Sequence, residues 1–131
     1  MTSQLIELTG QTGVNLSYYP PQGVRWRILG VGLKLVADAT SGSRSVRASL
    51  QRGSAGFGSE LADTGTVSTV STTYYATGDV AGDTSPILAN TRSVQWGSHP
   101  EIAYPDTLEI TSVLISGDTY DIHITFEVLD D

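Results

Sequence analysis

The sequence contains no cysteine, and only two of its 131 residues are histidine. Without a thiol the chain forms no disulfide and no thiolate-ligated metal site, so its hydrophobic core has to stabilise it. A chain of this length buries roughly two-thirds of its unfolded surface, which suffices for one compact domain. The sequence therefore predicts a single domain that needs neither a disulfide nor a structural metal.

Long apolar runs are also missing. No window approaches the ~18 consecutive apolar residues that a membrane helix requires, and the N-terminus has neither the basic start nor the apolar centre of a signal peptide. We therefore expect no membrane partner, and we expect the protein to be made in a cytoplasm and kept there or released by lysis.

Basic residues are scarce and unevenly distributed. The chain has 7 Lys and Arg against 14 Asp and Glu, a net charge of -7, which disfavours nucleic acid as a partner. Residues 1–52 carry +4 and residues 53–131 carry -11, and Lys34 is the only lysine. Arginine favours fixed bidentate contacts with carboxylates. Either the two halves pair with each other within the fold, or the basic half contacts other copies or a partner.

Catalytic patterns are absent as well. The two histidines, His99 and His123, accompany no Gly-x-Ser-x-Gly elbow and no metal-ligand spacing. The sequence Gly30-Val31-Gly32 lacks the third glycine and the following helix of a dinucleotide fingerprint. We expect a protein that is not an enzyme and that binds no metal or cofactor.

The pattern that is present is apolar alternation with period two, which is typical of strands. It predicts an all-β protein, a single-domain antiparallel β-sandwich, jelly-roll-like, with about eight strands. Residues 119–129 alternate almost without interruption. In residues 23–36 the apolar phase slips by one residue, which predicts a bulge near Gly30 and places Trp26 in the core. The glycine-rich residues 53–63 are predicted to form a loop.

The first 23 residues differ from the rest. Residues 2–8 have a strand pattern, whereas glycines and the pair Pro20 and Pro21 interrupt residues 9–23. Residues 1–23 are predicted to form an N-terminal arm or an edge strand, and residues 24–131 the β-sandwich domain.

The order of several features resembles that of a known family. A Trp-containing strand comes after a Pro/Gly lead-in, a turn leads to a strand that opens on Arg44 and Val46, and a Thr/Ser-rich middle comes next. A Gly117-Asp118 turn then leads into residues 120–124, Tyr-Asp-Ile-His-Ile. This order resembles the small jelly-roll capsid decoration proteins of tailed bacteriophages, also called cement or auxiliary proteins, over roughly residues 20–129.

The resemblance implies a non-enzymatic virion structural protein that is made in the host cytoplasm and lies on the outer capsid surface. Its partners would be the phage major capsid protein and two further copies of the chain in a homotrimer. The apolar residues expected at contacts with neighbours are Leu5, Ile6, Leu8, Tyr18 and Tyr19. The charged anchors expected beside them are Arg25, Arg27 and Arg47.

A second function class is a carbohydrate- or receptor-binding β-sandwich module, such as a phage tail or fibre tip or a carbohydrate-binding module. Its glycan contacts would be Trp96, His99 and Tyr104, because an aromatic ring at a strand end can stack on a sugar. In the other interpretation, Trp96 caps the end of the sandwich.

Overall fold

In the structure, a computed structural model, all regular secondary structure of the described residues is β-strand. The described residues are 2–12, 15–53, 57–68, 71–80, 91–115 and 117–130. The ten strands are β1 (Thr2–Gln11), β2 (Leu16–Tyr18), β3 (Val24–Val36), β4 (Ser45–Arg52), β5 (Phe57–Asp63), β6 (Thr73–Val80), β7 (Thr91–Trp96), β8 (Glu101–Ala103), β9 (Thr107–Val113) and β10 (Thr119–Asp130).

The strands form two packed sheets. The six-stranded sheet has the order β1-β10-β3-β6-β7, with β8 beside β3, and the four-stranded sheet has the order β2-β9-β4-β5. All pairs of strands are antiparallel except β6 and β7, which are parallel and are separated by residues 81–90, since a parallel pair needs a long connection. The predicted all-β sandwich is confirmed, with ten strands rather than about eight and with one parallel pair.

The core lies between the two sheets, because one face of each strand is apolar. In β10, the side chains of Tyr120, Ile122 and Ile124 are buried, whereas Asp121 and His123 lie on the outer face. This is the alternation that the sequence shows for the last strand. Burial of one face fixes the register, since a slip by one residue would turn the apolar side chains outward.

The bulge predicted near Gly30 is confirmed. Thr125 pairs with Gly30 and Phe126 pairs with Ile28, so Leu29 is the extra residue in β3. The bulge keeps Ile28 and Val31 on the core side although the phase slips between them.

The loop predicted at residues 53–63 is wrong, because residues 57–63 form β5. The register between β4 and β5 shifts at Leu61, and the adjacent side chains of Leu61 and Ala62 are both buried. Two consecutive core residues interrupt the period-two pattern, which is why the strand does not stand out in the sequence.

The two tryptophans have different surroundings. Trp26, predicted as a core residue, is partly buried and packs on Phe126 with ring centroids 4.6 Å apart. Trp96 belongs to the buried core, and its Nε1 donates a hydrogen bond of 3.2 Å to the Leu61 carbonyl.

Residues 2–18 contribute an edge strand to each sheet. β1 pairs with β10 at one edge of the six-stranded sheet, and β2 pairs with β9 at one edge of the four-stranded sheet. The segment assigned in the sequence to an arm or an edge strand therefore lies at sheet edges.

A buried ion pair joins the loops at one end of the sandwich. The Arg44 side chain is fully buried and binds Asp118 through Nε and Nη2 at 3.0 and 3.1 Å. It also donates hydrogen bonds to the carbonyl oxygens of Thr40 and Gly42. Burial alone would raise the pKa of Asp118, but hydrogen bonds from Arg44 and from the amides of residues 38 and 115 lower it below its usual value.

Candidate binding surfaces

The apolar residues of β1 face two directions. Leu5 is 51% exposed on the outer face of the six-stranded sheet. Ile6 and Leu8 are partly buried and pack against the core, beside Ile124 and Ile122 of β10. Of these three predicted contact residues, Leu5 therefore has an exposed side chain, while Ile6 and Leu8 pack β1 against the sandwich.

The two tyrosines at the end of β2 also differ in exposure. Tyr18 packs against the core, and burial raises the pKa of its hydroxyl. Tyr19 is 58% exposed, and its ring meets that of Tyr104 edge to face at a centroid distance of 6.0 Å. The structure thus combines Tyr19, predicted for one function, and Tyr104, predicted for the other, in one exposed aromatic pair.

The predicted charged anchors lie in ion pairs within the chain. Arg25 and Arg27 both bind Glu101, at 3.2 and 3.1 Å, and Arg27 also approaches Glu127 at 3.5 Å. β8 pairs with β3 at these residues, so that Arg27 lies opposite Glu101 and Arg25 lies opposite Ala103 in the sheet.

The other arginines of residues 1–52 also form ion pairs within the chain. Arg47 pairs with Asp63 at 3.5 Å, and Arg52 pairs with Asp106 at 3.4 Å. Together with the buried Arg44, the arginines of residues 1–52 all pair with acids of residues 53–131. The two halves therefore do pair with each other within the fold through these arginines.

The three predicted glycan contacts, Trp96, His99 and Tyr104, differ in exposure. The Trp96 side chain is almost fully buried, so its ring packs in the core and is not exposed for stacking on a sugar. A small cleft of about 180 Å³ lies beside it, lined by Arg52, Glu60 and Ser98 among others. His99 is partly buried, and Tyr104 is exposed against Tyr19.

A groove that no sequence pattern indicated as a site crosses the outer face of the six-stranded sheet. Its floor is β3, and its walls are the outward side chains of β10 and β6. The two walls are roughly 9–10 Å apart, because neighbouring strands lie about 4.8 Å from each other. Three rows of paired residues cross β10, β3 and β6 in that order: Thr125, Gly30 and Asp79; His123, Gly32 and Thr77; Asp121, Lys34 and Tyr75.

The groove consists of two adjoining depressions of about 360 and 420 Å³. Gly32, Thr77 and His123 line both, so the depressions form one continuous surface feature. Each volume falls in the range of roughly 300–1,000 Å³ that is usual for small-molecule sites. The signal in the sequence is the pair Gly30 and Gly32 within a strand that is otherwise rich in valine and leucine.

Polar groups on the walls are partly engaged. His123 Nδ1 lies 3.3 Å from a carboxylate oxygen of Glu7, and Thr77 Oγ1 lies 3.1 Å from Ser93 Oγ. Asp121 accepts a hydrogen bond of 2.9 Å from the Gly10 amide.

Metal ligands do not cluster anywhere in the described ranges, where no three His, Asp or Glu side chains form a group that could hold a metal ion. No helix in that part of the chain is long and apolar enough to cross a membrane. No protein-family model, no curated protein and no solved structure matches the chain.

Proposed function

We propose that the protein is a non-enzymatic virion structural protein, a decoration protein that binds the outside of a tailed-phage head and stabilises contacts between coat subunits. The observation that carries the proposal is the edge of β1. β1 ends the strand order of its sheet, so no described strand pairs with its second edge. Its backbone N–H and C=O groups on that side are available to another chain.

The composition of β1 suits such pairing. Proteins that avoid edge-to-edge association usually place lysine, proline or a bulge on an edge strand. Residues 2–11 contain no lysine, arginine or proline. The register with β10 is regular from Thr2 to Leu8 and shifts between Leu8 and Gln11, so the regular part of the edge is residues 2–8. The exposed Leu5 side chain adds an apolar contact at the same edge.

A homotrimer is compatible with this edge. A closed ring of three requires heterologous contacts, in which one surface of each copy meets a different surface of the next. In the described part of the chain, the strand order of the six-stranded sheet ends in two different strands, β1 and β7, and β8 also has a single partner. Three weak attachments to coat subunits then reinforce one another through effective concentration.

The test is the solution mass of the full chain, measured by light scattering at about 0.1 M and 1 M NaCl. We expect three times 13.9 kDa at both concentrations, since edge pairing uses backbone groups and the arginines are paired internally. Leu5→Lys should give the single-chain mass, because a charge at an edge opposes pairing.

The control variant is Val113→Lys, which changes a residue that is 62% exposed on β9 of the other sheet. It should keep the trimer. A wild-type chain that is a monomer, or a Leu5→Lys variant that remains a trimer, would show that the β1 edge does not assemble the protein.

A further inference from the structure

Gly30 and Gly32 occupy positions where the fold does not require glycine. Their φ angles lie outside the left-handed region. A Cβ atom at Gly32 would lie 3.7 Å from the His123 Cβ, and one at Gly30 would lie 3.8 Å from the Gly78 carbonyl oxygen. Both distances are ordinary van der Waals contacts. Because glycine weakens a strand interior, another reason must keep two of them in the central strand.

Gly78, on the neighbouring strand β6, shows the contrast. It faces the core, where an added Cβ would overlap the carbonyl oxygen of Leu61 and touch the Trp96 ring. Packing of the two sheets therefore explains Gly78, and Gly30 lies next to the bulge residue Leu29, whereas neither packing nor a bulge among the described residues explains Gly32. Glycine at such an outward position fits the close approach of a ligand to the backbone.

We propose that Gly30 and Gly32 form the floor of a groove that binds a neutral oligosaccharide. Hydroxyl, carboxylate, imidazole and ammonium groups on β10, β3 and β6 surround the floor, and sugar hydroxyls both donate and accept hydrogen bonds to such groups. The Tyr75 ring lies at one end, beside Lys34, and supplies an aromatic surface for a sugar ring.

Several of these polar groups are available. In the described part of the chain, Lys34, Asp79 and Thr125 form no side-chain hydrogen bond or ion pair. They come from three neighbouring strands, so their positions are set by the sheet rather than by a loop. A ligand can therefore bind to them without breaking side-chain hydrogen bonds or ion pairs among the described residues.

The charge of the groove selects among sugars. Its lining contains the carboxylates of Glu7, Asp79 and Asp121 against the ammonium of Lys34 and the imidazole of His123. An acidic sugar such as a uronate or sialic acid would be repelled by this excess of carboxylates, whereas a neutral sugar would not. The whole chain is acidic as well.

Sugar binding in the groove does not require assembly through β1. The groove opens on the outer face of the sheet, and although Glu7 of β1 lines it, the proposed assembly uses the backbone groups on the second edge of β1. The experiment is a glycan array, with the fluorescently labelled full chain as wild type, as Gly32→Val and as the control Gly97→Val. A Cβ atom at Gly97 would have no other atom within 4 Å, and Gly97 lies outside the groove lining.

We expect the wild type and Gly97→Val to retain neutral oligosaccharides, and Gly32→Val to bind them ~tenfold more weakly or worse. Thermal unfolding should show that Gly32→Val is at least as stable as the wild type, since valine favours strands. A folded Gly32→Val variant with undiminished binding would overturn the proposal. A wild type that retains only acidic glycans, or none, would overturn it as well. If in that case Gly32→Val changed the solution mass, the groove would bind a second copy of the chain instead of a sugar.

Discussion

The Arg44 guanidinium and the Asp118 carboxylate bind each other through two hydrogen bonds, of 3.0 and 3.1 Å, and neither side chain reaches solvent. Arg44 immediately precedes β4, and Asp118 immediately precedes β10. Asp118 also accepts hydrogen bonds of 2.9 Å from the amides of Asp38 and Ile115. One carboxylate thus connects the turn after β3 with the turn after β9.

Loss of this carboxylate should destabilise the protein strongly. Asp118→Ala leaves the Arg44 charge buried beside Asp38 alone, at 3.5 Å, and breaking a buried pair typically costs about 3–5 kcal/mol. Arg47→Ala is the control, because its ion pair is more than half exposed on the Arg47 side and should contribute less than about 1 kcal/mol. Urea unfolding measures both values. Equal effects of the two substitutions would contradict this role of Asp118.

The same carboxylate predicts the response to acid. The pKa of Asp118 is lower in the folded protein than its usual value, so its contribution to stability is complete above the unfolded pKa of about 3.9. That contribution is lost as the pH falls through the lower folded pKa. Urea midpoints measured from pH 7 to pH 3 should fall at the acid end, and less so in Asp118→Asn. A wild type and variant with parallel acid profiles would exclude Asp118 as the cause.

Glycines in the centre of the six-stranded sheet should respond in opposite ways to a side chain. Gly78→Ala forces a methyl group against the Leu61 carbonyl oxygen and should cost about 1–3 kcal/mol or more, as overpacking does. Gly30→Ala meets only ordinary contacts and should be neutral or slightly stabilising. Thermal unfolding of the two variants provides the comparison. A loss of stability at Gly30 equal to that at Gly78 would mean that the fold requires both.

The stability of Trp96 variants shows whether this side chain is a core residue or a sugar contact. Trp96→Ala removes a buried ring and a hydrogen bond to the Leu61 carbonyl, and such truncations cost about 3–5 kcal/mol. Trp96→Phe keeps most of the buried area and should lose much less. Chemical unfolding followed by circular dichroism reports the difference. If Trp96→Ala were as stable as the wild type, the ring would be free for a ligand.

The sequence predicted those features that depend on local alternation. The uninterrupted pattern of residues 119–129 corresponds to β10, and the phase slip next to Gly30 corresponds to the bulge at Leu29. Both follow from the period of two in a strand with one buried face. β5 escaped prediction because Leu61 and Ala62 are buried in succession.

The groove and the ion pairs depend on which strands become neighbours in the sheets. The alternation of apolar residues along the sequence carries no information about those neighbours. Gly32 lies between His123 and Thr77, which are 91 and 45 residues away in the sequence. Arg25 and Arg27 had two interpretations until the pairing of β3 with β8 placed Glu101 beside them. Long-range register therefore determines both the candidate surfaces and the ion-pair partners of the arginines.

Immunogold electron microscopy of phage particles from cells that carry the gene tests the proposed virion role most directly. An antibody against the chain should place gold on the outside of the heads, and particles made with the gene deleted should carry none. The deletion particles should regain the label when purified wild-type protein is added, but not when Leu5→Lys is added. Gold on tails alone, or particles without any gold although the protein is expressed, would contradict a head decoration protein.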